Sequence, residues 1–254
     1  MICKISNPSL VSPLFQDWDE TMIWSCLDGT MGELYGDDFK NPKSAAAVLG
    51  DFTFFAGVPC AELGALHHSS LLQKNYRILV PRTSEWENLL LKLYGNRARR
   101  IRRYATVKDS GSFSPEGLTK ILSGLPEGFS LKRMDEALYN QCGSMDWSRD
   151  LVSQYETWEK YRILGLGVVL TKDGEILSGA SSYSAYRAGI EIEIDTRPEY
   201  RRRGFASFCG ACLILECIKR NLYPSWDAHT EASLSLALKL GYRFSHAYTA
   251  LEIS

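Results

Sequence analysis

The chain has 254 residues, with 29 Lys+Arg against 30 Asp+Glu, a formal net charge of −1, and 45% hydrophobic residues. That length buries one large core or two modest ones, and the composition is that of an ordinary soluble globular chain. Residues 1–125 carry 14 Lys+Arg against 13 Asp+Glu and the rest 15 against 17, so neither half is a basic arm and a nucleic-acid partner is not expected.

The longest apolar stretches, such as Ile163–Leu170, fall far short of the about 20 residues that span a bilayer, so no membrane partner is expected either. Lys4 leads into a polar, proline-containing stretch rather than the apolar core of a signal peptide. Seven cysteines are too sparse and irregular for a disulfide scaffold. Cys209, Cys212 and Cys217 cluster inside an apolar helical pattern with no second ligand pair nearby. They read as reduced thiols of a cytoplasmic protein, and no metal site is expected.

Along the first half, Ala45–Val58 reads as strand with a turn at Gly50-Asp51, and Tyr76–Val80 as a short strand before Pro81. Ser84 with Glu87 three residues on is a capping box for a helix over Ser84–Tyr94. Arg97–Val107 reads as a strand whose arginines (97, 99, 100, 102 and 103) alternation distributes over both faces. An exposed edge strand kept unpaired by charge is the favoured reading, and a phosphate or nucleic-acid patch the alternative. The glycines and proline of Ser123–Gly128 mark a boundary between domains at 1–125 and 126–254. No short-period repeat is visible.

In the second half, Gly128–Met134 reads as a strand, and Asp135–Cys142 and Ser148–Tyr161 as helices. Gly165–Thr171 and Glu175–Tyr186 form a hairpin about Lys172-Asp173-Gly174, and Gly189–Asp195 is a further strand. A long apolar helix over Gly204–Arg220, a short strand Pro224–Ala228, a helix Glu231–Leu240 and a last strand Tyr242–Ile253 complete the order β-α-α-β-β-β-α-β-α-β.

The informative stretch is residues 190–206. Ile190, Ile192 and Ile194 alternate with Glu191, Glu193 and Asp195, which puts three carboxylates on one strand face. A basic turn follows and Gly204 opens a helix. A helix start offers backbone N–H groups and the positive end of the dipole to an anion, glycine lets a phosphate approach, and Arg201, Arg202 and Arg203 add charge.

With the order of elements, this stretch resembles the GNAT superfamily of acetyltransferases. The family's pyrophosphate loop, Gln/Arg-x-x-Gly-x-Gly/Ala, stands here as Arg201-Arg202-Arg203-Gly204-Phe205-Ala206, preceded by Pro198-Glu199-Tyr200. A second family motif, Asn-x-x-Ala-x-x-Leu-Tyr-x-Lys-x-Gly-Phe, is matched by Thr230 to Tyr242. The resemblance covers residues 126–254. It implies an α+β fold: a mixed, mostly antiparallel GNAT sheet flanked by helices, joined here to an N-terminal α/β domain, the layout of bacterial relatives with an extra domain.

The resemblance also implies transfer of an acetyl group from acetyl-CoA to an amine of a small molecule or peptide. The strand Gly189–Asp195 should splay from Pro224–Ala228, with the pantetheine arm along backbone groups near Ile194 and Thr196. Glu193 and Glu191 are the expected bases, with a slight preference for Glu193. Thr230 stands where the family usually has an Asn that contacts the arm, and Ala237 where many relatives have the Tyr that protonates the leaving thiolate. Either the thiolate leaves as the anion, another group such as His229 or His246 serves, or the chain is a non-catalytic acyl-CoA-binding module. The domain interface is the expected acceptor pocket. Thirteen residues follow Gly241 with no Gly, Pro or Asn among them, so one closing strand is expected, its edge covered by residues 1–125.

Overall fold

The structure is a computed structural model that describes residues 2–66 and 76–254. These fall into two compact units. The first runs to Arg103 and takes in Ala247–Ser254, and the second is Tyr104–His246.

In the first unit, β1 (Cys3–Lys4), α1 (Thr21–Asp28) and β2 (Glu33–Gly36) precede a hairpin of β3 (Ser44–Leu49) and β4 (Phe52–Gly57). The hairpin turns at Gly50-Asp51, with Leu49 opposite Phe52. A short helix, α2 (Ala61–Gly64), follows. β5 (Arg77–Pro81) then pairs parallel to β4, and α3 (Ser84–Tyr94) leads into β6, which starts at Ala98 and ends at Thr106. The helix start lies one residue ahead of the expected cap: Thr83 accepts the Trp86 N–H at 3.3 Å. Trp86, Leu90, Phe55, Leu79 and Leu251 form the core, and the Trp86 indole donates to the Gly57 carbonyl at 2.9 Å.

β6 is not an edge. Its first part lies beside the chain's closing strand, and Ala105 and Tyr104 pair with Asp227 and Ala228 in the second unit. Arginines of the stretch from Arg97 to Arg103 have partners. Arg99 pairs with Glu252, Arg100 with Glu87 at 2.6 Å, and Arg97 and Arg103 lie over the rings of Tyr94 and Phe52.

The second unit holds α4 (Pro115–Leu122), β7 (Phe129–Arg133), α5 (Glu136–Ser144), α6 (Trp158–Leu164), β8 (Gly167–Lys172), β9 (Glu175–Tyr186), β10 (Gly189–Thr196), α7 (Phe205–Lys219), β11 (Tyr223–Ser225), β12 (Asp227–Ala228) and α8 (Glu231–Lys239), and β13 (Phe244–Ile253) closes the chain. Its sheet runs β11-β10-β9-β8-β7, antiparallel except for β10 with β11. The mixed, mostly antiparallel sheet with flanking helices is as expected. The helix expected over Ser148–Tyr161 is broken. Leu151 and Val152 are buried in a 3-10 turn, and Thr157 caps a fresh helix by accepting the Lys160 N–H at 3.3 Å.

The expected boundary at Ser123–Gly128 lies inside this unit. α4 buries Leu118 and packs on α7, so the glycines and proline mark a loop between packed elements. The chain passes between units within β6 and β13 instead. β13 is a single strand, as expected, and its end pairs with β5 in the first unit through Leu251↔Leu79, Glu252↔Ile78 and Ile253↔Arg77.

Among the described residues each unit carries the same succession: a hairpin, a helix, and a strand parallel to the hairpin's second strand. It is β3-β4-α2-β5 in one and β9-β10-α7-β11 in the other. The repeat lies in topology and not in the residues.

Candidate active site

β10 pairs with β11 only through Gly189↔Tyr223, Ile190↔Pro224 and Glu191↔Ser225. Beyond Glu191 it keeps β9 as a neighbour as far as Thr196, while Asp227 and Ala228 turn to β6. Two parallel strands thus diverge, as the sequence led us to expect. The break falls at Trp226, which is anchored on three sides. Its carbonyl accepts the Thr106 hydroxyl at 2.7 Å, its indole donates to Ser233 Oγ at 3.1 Å, and its ring meets Tyr242 edge-on at 5.4 Å.

The two faces of β10 have different neighbours. Ile194 points to α7, where a Cβ on Gly210 would lie 3.2 Å from Ile194 Cδ1 and 2.6 Å from Leu240 Cδ1, so glycine there lets the helix approach the sheet. Glu193 and Asp195 pair with Ser181 and Gly179 of β9. Ser181 hydrogen-bonds the Tyr161 hydroxyl at 2.7 Å, and a Cβ on Gly179 would meet Leu151. The carboxylates therefore lie on the face covered by α6 and the 3-10 turn. The register shift between Glu191 and Ile192 adds its extra residue, Tyr183, on β9, so alternation along β10 is unbroken. Glu193 is half-buried, whereas Glu191 is buried and its Oε1 accepts the Asp227 N–H at 2.7 Å.

The loop into α7 is exposed from Arg201 to Gly204. Gly204 is the N-cap, left-handed at φ 81°, and no side chain caps the helix. A Cβ there would meet nothing within 4 Å. Arg202 is also left-handed, at φ 61°. A helix of this length with an uncapped, unobstructed start and flanking guanidinium groups fits an anion such as a diphosphate. The remaining loop residues hold the turn. Arg201 Nε donates to the Thr196 carbonyl at 3.1 Å, and the Thr196 hydroxyl bonds Ser178 Oγ at 2.7 Å. The Arg203 guanidinium lies 5.0 Å over the Tyr200 ring. Phe205 is buried between Tyr200 and Phe129, so only its backbone faces the loop's open side. Ala206 follows in the first turn.

Thr230 caps α8, accepting the Ser233 N–H at 3.1 Å, and so is committed to the helix start. Ala237 is fully buried and brings no acid, and His229 and His246 are exposed. The seven cysteines form no disulfide. Among the described residues, no group of three or more His, Cys, Asp or Glu is placed to hold a metal, and no helix is long and apolar enough to cross a membrane.

Two features of this face were not read from the sequence. Burial lifts the Asp195 carboxyl to about 6, the nearby Asp150 carboxylate adds to the rise, and Arg201 opposes it. Alternation had placed Asp195 on the face but carried no sign of its burial. The hydroxyls of Ser184 and Ser225 are buried without a protein partner. No local signal marks them.

The raised carboxyl has a consequence for stability. Because its folded value lies above the unfolded one, the protonated form's contribution is full below the ordinary carboxylate range and is lost as pH rises through about 6. Asp195→Asn is therefore expected to raise the melting temperature by about 5 °C at pH 8 and by little at pH 5. Equal shifts at both pH values would show that ionisation at this position carries no penalty.

The geometry has its counterpart among known proteins. The profile of the GNAT acetyltransferase family matches residues 12–251. The chain is 26% identical over 251 residues to the uncharacterised N-acetyltransferase YdfB of Bacillus subtilis strain 168, covering 95% of this chain and 94% of that one. It is 47% identical to the crystal structure of a GCN5-related N-acetyltransferase-like protein from Streptococcus suis 89/1591, with a TM-score of 0.92 over 98% of both chains. A tandem GNAT protein of the clavulanic acid biosynthesis pathway shares the fold alone, with 8% identity and a TM-score of 0.54 over 87% of this chain and 82% of that one. The family match takes in nearly the whole chain, both units included, where the sequence motifs had pointed to residues 126–254 alone. With its splayed strands and glycine-led helix, the chain belongs to the GNAT acetyltransferase family and is an N-acetyltransferase.

Proposed function

We propose that the donor is acetyl-CoA and the acceptor an amine of a small molecule or peptide. The observation that carries this reading is the divergence of β10 from β12 beyond Glu191, next to the uncapped helix start at Gly204. The pyrophosphate lies on the amides of Arg202–Ala206, with Arg202 and Arg203 supplying charge. The pantetheine arm takes the place of the missing strand along Ile192–Ile194. Arg201 and Thr196 shape the loop, and Thr230 acts through the start of α8.

The amine approaches on the face of Glu193, which takes its proton directly or through water. Its nitrogen attacks the thioester carbonyl, the C–S bond breaks, and the amide forms. Ala237 offers no proton, so coenzyme A leaves as the thiolate and is protonated by water. Glu193→Gln is expected to lower turnover by about 100-fold at neutral pH with coenzyme A affinity retained. The deficit should narrow at high pH, where the amine is already free. Thiol release from acetyl-CoA with a panel of amines checks both points. Coenzyme A binding without turnover of any amine would turn the reading to an acyl-CoA-binding module.

A further inference from the structure

Ser184, Glu191 and Ser225 form one row across three strands, paired side by side on β9, β10 and β11, and all three are buried. The row is the last rung before the strands part. Glu191 reaches past it, and its Oε1 accepts the N–H of Asp227, the first residue of β12, which follows β11 and pairs with β6 instead of β10. A side chain thus makes across the break the bond that the backbone has ceased to make. Serine on either side leaves room for the carboxylate, yet both hydroxyls lack a protein partner. Buried hydroxyls in native proteins are satisfied, most often by ordered water when no protein group is near. A site lined by two hydroxyls and a carboxylate offers a water the polar partners it needs.

We infer that Glu191, with a water held between it, Ser184 and Ser225, is a positioning residue that pins Asp227 and sets where β10 and β12 diverge. It touches neither the acceptor nor the reacting atoms. Its effect on catalysis rests on the acetyl-CoA reading above, because the width of the opening decides how the pantetheine arm seats.

Three variants test this: Glu191→Gln, Glu191→Ala, and Ser184→Ala with Ser225→Ala. The readouts are hydrogen exchange at the Asp227 amide, coenzyme A affinity by calorimetry, the pH–rate profile, and thermal stability. Glutamine keeps an acceptor oxygen, so Glu191→Gln should retain slow exchange at Asp227, coenzyme A affinity and rate. Glu191→Ala should speed that exchange and weaken coenzyme A by about tenfold, without moving the acid limb of the profile. The double serine variant should melt lower although it loses no protein–protein hydrogen bond.

If Glu191→Gln loses rate as fully as Glu191→Ala and the acid limb moves, Glu191 is a base and the pin is wrong. Unchanged exchange at Asp227 in Glu191→Ala also overturns it, as does a double serine variant at least as stable as the parent for the water. Should Glu191→Ala fail to fold, Glu191→Gln decides by its rate and its exchange. Hydrogen exchange needs no ligand, so a chain that does not bind coenzyme A overturns the donor assignment while the pin is still decided.

Discussion

Replacing Gly204 by valine will abolish coenzyme A binding while the fold survives. Two effects act in the same direction and can be separated. Gly204 sits at φ 81°, a conformation that costs a β-branched residue about 1–2 kcal/mol. A Cβ at this position meets no protein atom within 4 Å outside its chain neighbours, so the new side chain starts into open space, the space assigned to the pyrophosphate. Asparagine tolerates the left-handed conformation, so Gly204→Asn carries little strain yet still fills that space. Calorimetry on the two variants, with a melting curve for each, distinguishes the causes. Loss in both, with the asparagine variant melting like the parent, means the site is blocked. Loss in valine alone means the loop was distorted. Parent-like affinity in both would move the pyrophosphate elsewhere.

The stretch from Ile190 to Ala206 was legible because its signals are local. Alternation of isoleucine and glutamate defines a strand by itself, and a glycine after three arginines defines how the next helix starts. What escaped the sequence depends on partners far along the chain. Glu191 and Glu193 look alike in sequence, yet the Asp227 amide, 36 residues away, donates to Glu191, which is buried where Glu193 is half-buried. The arginines of β6 suggested a charged edge, but Glu87, Glu252 and Phe52 lie far outside any window that reads β6 alone. Ser123–Gly128 carries the composition of a linker, and only the packing of α4 on α7 shows that it is a loop within one unit. The duplicated order of elements left no repeat in the residues, since pairing direction and connection define it rather than side chains.

Removing Ala247–Ser254 is expected to unfold the first unit, although the deletion touches only the far end of the chain. Those residues belong to that unit, and Leu251 and Ile253 sit in its core with Leu79, Trp86 and Leu90. Truncating one such side chain to alanine costs about 2–5 kcal/mol. Losing two of them, together with the strand that covers β5, removes a large share of the 5–15 kcal/mol that holds a typical domain together. It would also leave the apolar strand Arg77–Pro81 with an open edge, which invites aggregation. A chain ending at His246 should therefore be recovered as insoluble protein. The milder Leu251→Ala should remain soluble and lower the denaturation midpoint by an amount that corresponds to about 3 kcal/mol. A fragment of residues 126–254 should fare no better than the truncated chain, because it keeps the strand and lacks β5. If the chain ending at His246 is soluble and melts as cooperatively as the full chain, the pairing of β13 with β5 is not what stabilises the first unit.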